Sequence, residues 1–255
     1  MIANYHTHTW RCNHAEGTER QYVENAIAVG LKTLGFADHA PHIFPGSYYS
    51  TFRMKLNQLQ DYVDTVMQLR KEFEGQIEIP LGLELEYYPG LVPALLPILR
   101  DTPMDYLIMG QHFVGDEIGE PYSGRPTDSI RHVARYVDQV IEGMQTGMFT
   151  YVAHPDLLFY TGDRRAYGKE MRRLCQEAKA CDIPVEINLL GLLENRKYPN
   201  EAFWEQAAEE GNICILGRDA HSPKHILDKE TEDKGYALAK RFDLKLIDTV
   251  SFRKF

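Results

Sequence analysis

Two spacings of apolar residues take turns along this chain, short continuous runs and stripes at helical period. Residues 2–6 read as a strand. Thr18 then caps a helix running to about Val29, with Glu19 in its first turn and Gly30 ending it. Thr33 to Ala37 reads as the second strand. Ile43 to Thr51 follows as a Pro, Gly and aromatic loop of the kind that covers a site. Residues 53–74 carry Leu56, Leu59, Val63, Val66, Met67 and Leu69 at helical spacing and predict a long amphipathic helix.

Ile77 to Leu85 predicts the third strand, Pro93 to Leu99 a short helix, and Tyr106 to Met109 the fourth strand. After a polar loop from Gly115 to Pro126, residues 128–146 present Ile130, Val133, Val137, Val140 and Ile141 on one helical face. Thr150 to Ala153 is the fifth strand, 168–181 a helix, Val185 to Ile187 the sixth strand, and Asn200 to Glu210 a helix. Ile213 to Leu216 is the seventh strand. A last helix runs from about Pro223 to Arg241, and Leu244 to Ser251 reads as a terminal strand or extended edge.

Strand and helix thus alternate about seven times, with neither a repeat nor a linker-like break. That order predicts one α/β domain over 1–255, its parallel strands joined by right-handed crossovers. A closed or nearly closed (β/α) barrel fits this number of units better than an open sheet. The pattern alone leaves a doubly wound sheet open. In a barrel the chemistry gathers at the C-terminal ends of the strands.

Those ends carry the candidate chemistry. The first strand finishes in His6-Thr7-His8, and residues two apart on an extended chain share a side, so both imidazoles can reach one ion. His14 lies in the next loop. The second strand ends in Asp38-His39, with Asp38 a candidate for fixing the His39 tautomer. The third ends in Glu84-Leu85-Glu86, with Glu84 at the mouth and Glu86 expected further out, in solvent. Gln111-His112, Ala153-His154-Pro155-Asp156 and Glu186-Ile187-Asn188 end the next three. The seventh runs into Asp219 and His221. Of ten histidines, only His132 and His225 clearly fall on helix surfaces, so the clustering at strand ends is not a scatter. The expected ligand set is His6, His8, His14, His39, Glu84, His112, His154, Asp219 and His221. A single catalytic ion takes about three protein ligands, so this set suits two or three divalent ions. Imidazole and carboxylate without thiolate point to Zn, Fe or Mn. Clustered cations of this kind hold a hydroxide at neutral pH and neutralise phosphoryl oxygens. Glu84, Asp219 and His221 are the residues on which turnover is expected to rest.

Composition narrows this further. A net charge of −9 argues against a nucleic-acid face, although a metal-lined pocket would still accept a small phosphorylated ligand. No run is long and apolar enough for a membrane span, and the first residues lack the features of a signal peptide. The four cysteines form no C-x-x-C pair and read as reduced thiols of a cytoplasmic protein. Cys12 lies near the expected site and reads as a bystander. Oligomeric state is not legible.

The succession H-x-H, G-F-A-D-H, a strand-end Glu, Q-H, A-H-P-D and R-D-A-H-S resembles the PHP (polymerase and histidinol phosphatase) superfamily over essentially the whole chain. The resemblance implies a distorted (β/α)7 barrel with a trinuclear metal centre. In it, His6, His8, Glu84 and Asp219 would hold one ion, Glu84, His112 and His154 the second, and His14, His39 and His221 the third. Where this family often has Gly-Ser-Asp-Ala-His, this chain has Arg218 in place of the Ser, a position expected to point away from the site.

Asp38-His39-Ala40-Pro41, the loop through Phe52-Arg53, Gly82-Leu83-Glu84 before Tyr88-Pro89-Gly90, His112-Phe113-Val114-Gly115, and Glu186-Ile187-Asn188 leading to Arg196-Lys197-Tyr198-Pro199 resemble the histidinol-phosphate phosphatase branch. The implied reaction is hydrolysis of L-histidinol phosphate to L-histidinol and phosphate, by direct attack of a metal-bridging hydroxide. A phosphate dianion also calls for a guanidinium. Arg196 is the first candidate, and Arg164 or Arg165 the second. His42 is a candidate for phosphate contact or for protonating the leaving oxygen, and Glu117 or Asp116 for the substrate ammonium. Two rivals stand beside this reading. One is a PHP phosphoesterase of nucleotides or DNA ends. The other is a barrel that binds metal without catalysis.

Overall fold

Nine short strands and nine helices alternate through the computed structural model, which describes residues 1–255. The chain opens with β1 (Ala3–Asn4) and a single 3-10 turn at Trp10–Cys12, then α1 (Glu19–Ala28). A capping box starts α1: Thr18 Oγ1 accepts from the Gln21 N–H, and the Gln21 side chain accepts from the Thr18 N–H at 2.9 Å. The predicted second strand is two. β2 (Thr33–Leu34) pairs with β1, and β3 (Phe36–His39) pairs with β4 (Leu81–Glu84), the long helix α2 (Leu59–Glu72) lying between β3 and β4 in sequence. The strand predicted from Ile77 starts only at Leu81, because Pro80 has no N–H to give a ladder.

Then come α3 (Val92–Arg100), β5 (Tyr106–Gly110), α4 (Ile130–Gln145), β6 (Val152–Ala153), α5 (Arg164–Ala180) and β7 (Val185–Asn188). A one-turn helix that the apolar spacing does not predict, α6 (Leu189–Leu193), capped by Asn188, precedes α7 (Glu201–Glu210) and β8 (Ile213–Gly217). The expected last helix is two, α8 (Pro223–Leu227) and α9 (Lys229–Arg241). Asp228 ends the first, and its side chain caps the second by accepting from the Thr231 N–H at 2.9 Å. The tail forms β9 (Lys245–Ile247).

All pairings are parallel. β3 to β9 form one seven-stranded row in chain order, beside the two-stranded β1–β2. The segment after β1 joins the two sides of this row at the C-terminal end. The Ala37 N–H donates to Thr7 O at 2.9 Å, the His8 N–H to Ala220 O at 2.9 Å, and the Ala220 N–H to His6 O at 3.1 Å. β9 borders β8 lower down, at Ile213, Cys214 and Ile215. The result is a distorted parallel ring with helices outside.

Alternation along each strand separates two cores. Outward residues such as Leu83, Met109, Val152, Ile187 and Leu216 pack under the helices in the large core. Inward residues form a smaller one of Ala3, Tyr5, Ala37, Tyr106, Ile108, Tyr151, Ala153 and Ile215. The tail covers its lower end, with Phe252 stacked 4.8 Å from the Tyr106 ring. At the upper end, the next inward positions are polar: His39, Glu84, Glu186 and Asn188. No helix is long and apolar enough to cross a membrane.

Tyr106 spans the ring interior. Its hydroxyl donates to Tyr5 O at 2.7 Å and reaches Phe36 O at 3.1 Å, and Gly35 and Gly82 leave room for the side chain, since a Cβ at either would lie within 2.5 Å of its hydroxyl or its ring. Tyr106→Phe leaves buried carbonyls without this donor and is expected to destabilise the protein by about 1–2 kcal/mol. Urea unfolding checks this, and an unchanged midpoint at unchanged slope would refute it.

Candidate metal centre

The nine expected ligands meet at the C-terminal end of the ring. His6 and His8 come from the segment after β1, His39 from β3, and Glu84 from β4. His112 and His154 follow β5 and β6, and Asp219 and His221 follow β8. His14 enters from the loop before α1 and stays exposed at the rim; the others are buried or nearly so. His154 and Asp219 sit in the left-handed region, with φ of 30° and 49°. Side chains other than glycine rarely adopt it, and such strain gathers at functional sites.

Glu84 is the hub. Its Oε2 lies 3.7 Å from His6 Nε2, 3.6 Å from His8 Nε2 and 2.9 Å from His39 Nδ1. Its Oε1 lies 3.6 Å from His112 Nε2 and 2.8 Å from His154 Nε2. Asp219 Oδ1 lies 3.5 Å from His6 Nε2 and 3.1 Å from His8 Nε2. His14 and His221 bring their Nε2 atoms within 2.9 Å of each other, and together with His39 they form a third cluster. Gly110 permits the hub to exist, because a Cβ there would stand 1.7 Å from Glu84 Oε1.

The electrostatics divide the site. Burial disfavours the Glu84 carboxylate, but His39, His112 and His6 outweigh it and hold its pKa well below the ordinary range. Asp219 is held low against burial by His6, His221 and His8. Burial pulls the His6 imidazolium down, yet Glu186, Asp219 and Glu84 together raise it to about 10. Around His14 and His221 the balance reverses. The His14 ring, desolvated on its inner side although the residue stands at the rim, falls to about 4, with His221 and His8 adding to the effect, and His221 is lowered by burial and His8 against the opposing pull of Asp219.

Each histidine has two ring nitrogens, and a second layer decides which one faces the centre. His6 Nδ1 donates to Glu186 Oε1 at 2.8 Å, and His112 Nδ1 to Glu86 Oε1 at 2.9 Å. His8 Nδ1 lies 3.3 Å from Asp38 Oδ1, so Asp38 serves His8 rather than His39. Neighbours on a strand point to opposite sides, which is why His39 was the wrong partner. The carbonyls of Cys12 and Asp219 take His14 Nδ1 and His221 Nδ1 at 2.8 and 3.0 Å. The Cys12 sulfur lies within 4.8 Å of ring nitrogens of His8 and His221, buried behind them. Gly217 makes room for Glu186 as Gly110 does for Glu84, again with 1.7 Å to a Cβ.

Glu86 is not in solvent. It is fully buried, and Arg53 binds both its oxygens at 2.8 and 2.9 Å. The loop after β3 folds over it, which strand parity alone does not reveal. Glu117 accepts from the same arginine at 2.6 Å and lies away from the cavity wall. Asp116 accepts from the Ile118 N–H at 2.8 Å in a turn. His42 is buried behind Glu86, with Nε2 3.4 Å from Glu86 Oε2, and does not line the cavity. Arg164 opens α5 on the outer surface, where it donates to Glu205 at 2.7 Å, and Arg165 lies beside it. Neither reaches the site.

Arg196 does. A cavity of about 360 Å³ lies over the ligands, walled by Phe52, Phe113, Tyr122, Leu190, Glu194, Arg196 and Tyr198. Arg196 is its one basic side chain other than histidine, and its Nη1 donates to the Tyr198 hydroxyl at 2.7 Å. Asp156 anchors this loop by accepting from the Asn200 N–H at 2.5 Å and Trp204 Nε1 at 3.0 Å.

The donor set fits divalent cations. His6 Nε2, His8 Nε2 and Glu84 Oε2 are buried without hydrogen-bond partners, although each is a strong ligand atom. Ligands about 2.1 Å from one tetrahedral ion lie roughly 3.4 Å apart. The 3.1–3.7 Å spacings of His6 and His8 to Glu84 and Asp219 bracket that value.

Comparison with known proteins agrees. The family model described as PHP domain matches residues 4–189, and the chain belongs to this family. A Lactococcus lactis protein named histidinol-phosphatase is 31% identical over 237 residues, covering 87% of this chain and 84% of its own. A Deinococcus radiodurans protein described as a probable histidinol-phosphatase is 28% identical over 239 residues, covering 88% of each. The crystal structure of the Lactococcus lactis histidinol phosphate phosphatase, complexed with zinc, L-histidinol and phosphate, superposes with a TM-score of 0.77. It is 20% identical and covers 100% of this chain and 99% of its own. Asp219 and His221 lie beyond the matched family segment.

Two outcomes are expected. Gly110→Ala should push Glu84 out of place and weaken metal binding by about 10–100-fold or more, with circular dichroism unchanged; full zinc retention, measured by plasma mass spectrometry, would contradict the hub. His6 holds a proton at neutral pH in the metal-free protein and must release it to ligate. Zinc uptake at about pH 7 should therefore liberate protons, and affinity should fall as pH falls. Calorimetry in buffers of different ionisation enthalpy reads this directly, and identical heats would refute it.

Proposed function

We propose that this protein is a metal-dependent phosphatase that hydrolyses L-histidinol phosphate to L-histidinol and phosphate, a step of histidine biosynthesis. The observation that carries the reading is the convergence of nine imidazole and carboxylate ligands beneath a cavity whose one arginine is Arg196. The relatives named histidinol-phosphatase, aligned over most of both chains, support the substrate.

In this reading His6, His8, Glu84 and Asp219 would hold one ion, Glu84, His112 and His154 a second, and His14, His39 and His221 a third. Zinc suits these ligands and is the metal in the Lactococcus lactis complex. Bound, the cations supply Lewis-acid polarisation and activation of water at neutral pH. Glu84 serves both of the first two ligand groups, with one oxygen beside His6 and His8 and the other beside His112 and His154. Asp219 lies beside His6, His8 and His221. Arg196, held by the Tyr198 hydroxyl at Nη1 and by Glu194 at Nε and Nη2, presents its guanidinium charge to the phosphate from the cavity wall. Phe52 and Phe113, stacked 5.7 Å apart, narrow the entrance against bulk water. No serine, threonine or cysteine lines the cavity, so none of these three is in place as a covalent nucleophile. The four free thiols suit the cytoplasm.

A phosphate-release screen with zinc, manganese or iron tests the reading. L-histidinol phosphate should be turned over far faster than nucleotides or short DNA ends. Preference for either of the latter would replace the substrate, and inertness with every metal would leave a binding protein. Glu84→Gln and Asp219→Asn should abolish turnover with the fold largely intact. Arg196→Ala should cost about 1.5–3 kcal/mol of transition-state binding. An unchanged kcat/KM would remove Arg196 from the site.

A further inference from the structure

We propose that Glu194 is the residue that recognises the substrate's ammonium group and so selects amino-alcohol phosphates over simple phosphate esters. The assignment rests on the phosphatase reading above. The cavity wall contains three carboxylates. Glu84 and Asp219 are engaged by imidazoles. Glu194 alone meets no histidine.

Its position is defined. Glu194 ends α6, in the loop that carries Arg196, and the Arg196 N–H donates to Gly191 O at 2.9 Å. Asn188 caps α6 through the Gly191 N–H at 2.9 Å and also donates to Asp219 Oδ2 at 3.1 Å, so the loop is tied to the ligand wall. Arg196 Nε and Nη2 both bind Glu194 Oε2 at 2.7 Å, which leaves Oε1 without a protein partner. Glu194 and Arg196 are partly exposed, at 46% and 37% of their side chains, and so open to a ligand.

The chemistry matches. In L-histidinol phosphate the ammonium sits on the carbon next to the one bearing the ester oxygen, so a cation and a dianion lie side by side. A carboxylate hydrogen-bonded to a guanidinium offers the complementary pair. A charge-assisted hydrogen bond to the free oxygen would supply selectivity for the amine. Glu117 and Asp116 are turned elsewhere, so neither competes for this role.

The experiment compares kcat/KM for L-histidinol phosphate and for imidazolylpropyl phosphate, the same molecule without its amino group. In Glu194→Gln the ratio of the two should fall about tenfold or more, and Glu194→Lys should lower it further. The inhibition constant of L-histidinol should rise in both variants more than that of inorganic phosphate. Equal slowing of both substrates would overturn the assignment, because Glu194 would then act only by steadying Arg196. Wild-type protein that hydrolyses no L-histidinol phosphate would remove the function and this assignment with it. Hydrolysis with an unchanged ratio would remove the assignment alone.

Discussion

A carboxylate sealed inside a protein is the constraint from which this structure follows. Glu84 sits on the inner face of a ring of parallel strands, essentially without solvent. Left alone, such a charge costs several kcal/mol. The fold answers with five imidazoles from four other segments, His6, His8, His39, His112 and His154, all within 3.7 Å. The ring delivers this by pointing the ends of neighbouring and of more distant strands at one spot. Gly110 is part of the same solution, since the neighbouring strand must surrender its side chain for the carboxylate to fit.

Hydrogen-bonding groups then alternate outward. Glu84 faces His112, His112 leans on Glu86, Glu86 is clasped by Arg53, and Arg53 also meets Glu117. Each buried group is balanced by the next, until the chain of pairs reaches the loops. A network of this kind is stable only when every member is satisfied. Its benefit is orientation: Glu86 and Glu186 leave the His112 and His6 rings one way to face. The inner ligands are therefore aligned by groups that never touch them from the substrate side.

This layering explains what could be read from the chain. His6 and His8, or Asp219 and His221, are legible because residues two apart at a strand end share a side, and the alternation of apolar runs locates the strand ends. The second layer is not. His6 and Glu186 are separated by 180 positions, and no local spacing links them. Glu86 shows the limit of parity: the face was right and the surroundings were not, because a distant loop brought Arg53 over it. Gly35, between β2 and β3, leaves room for the Tyr106 side chain, which again is a tertiary fact. His42 and Arg164 fit the composition of a phosphate site, yet one is shut behind Glu86 and the other turned to the outer surface.

The two halves of the site are built on different parts of the fold, and that difference has a consequence. Eight of the nine ligands belong to strand ends or the residues just beyond them, held by ladder hydrogen bonds and inward packing. The cavity walls above, Phe52, Phe113, Tyr122, Glu194, Arg196 and Tyr198, come from the segments between β3 and α2, between β5 and α4, and between α6 and α7. Loop residues can change without disturbing the ladder, whereas a ligand cannot move without unbalancing the chain of charges behind it. The ligand end of the ring and the wall above it are therefore structurally separable in this protein: the strand ends set the candidate metal centre, and the loops after β3, β5 and α6 set the shape of the cavity over it.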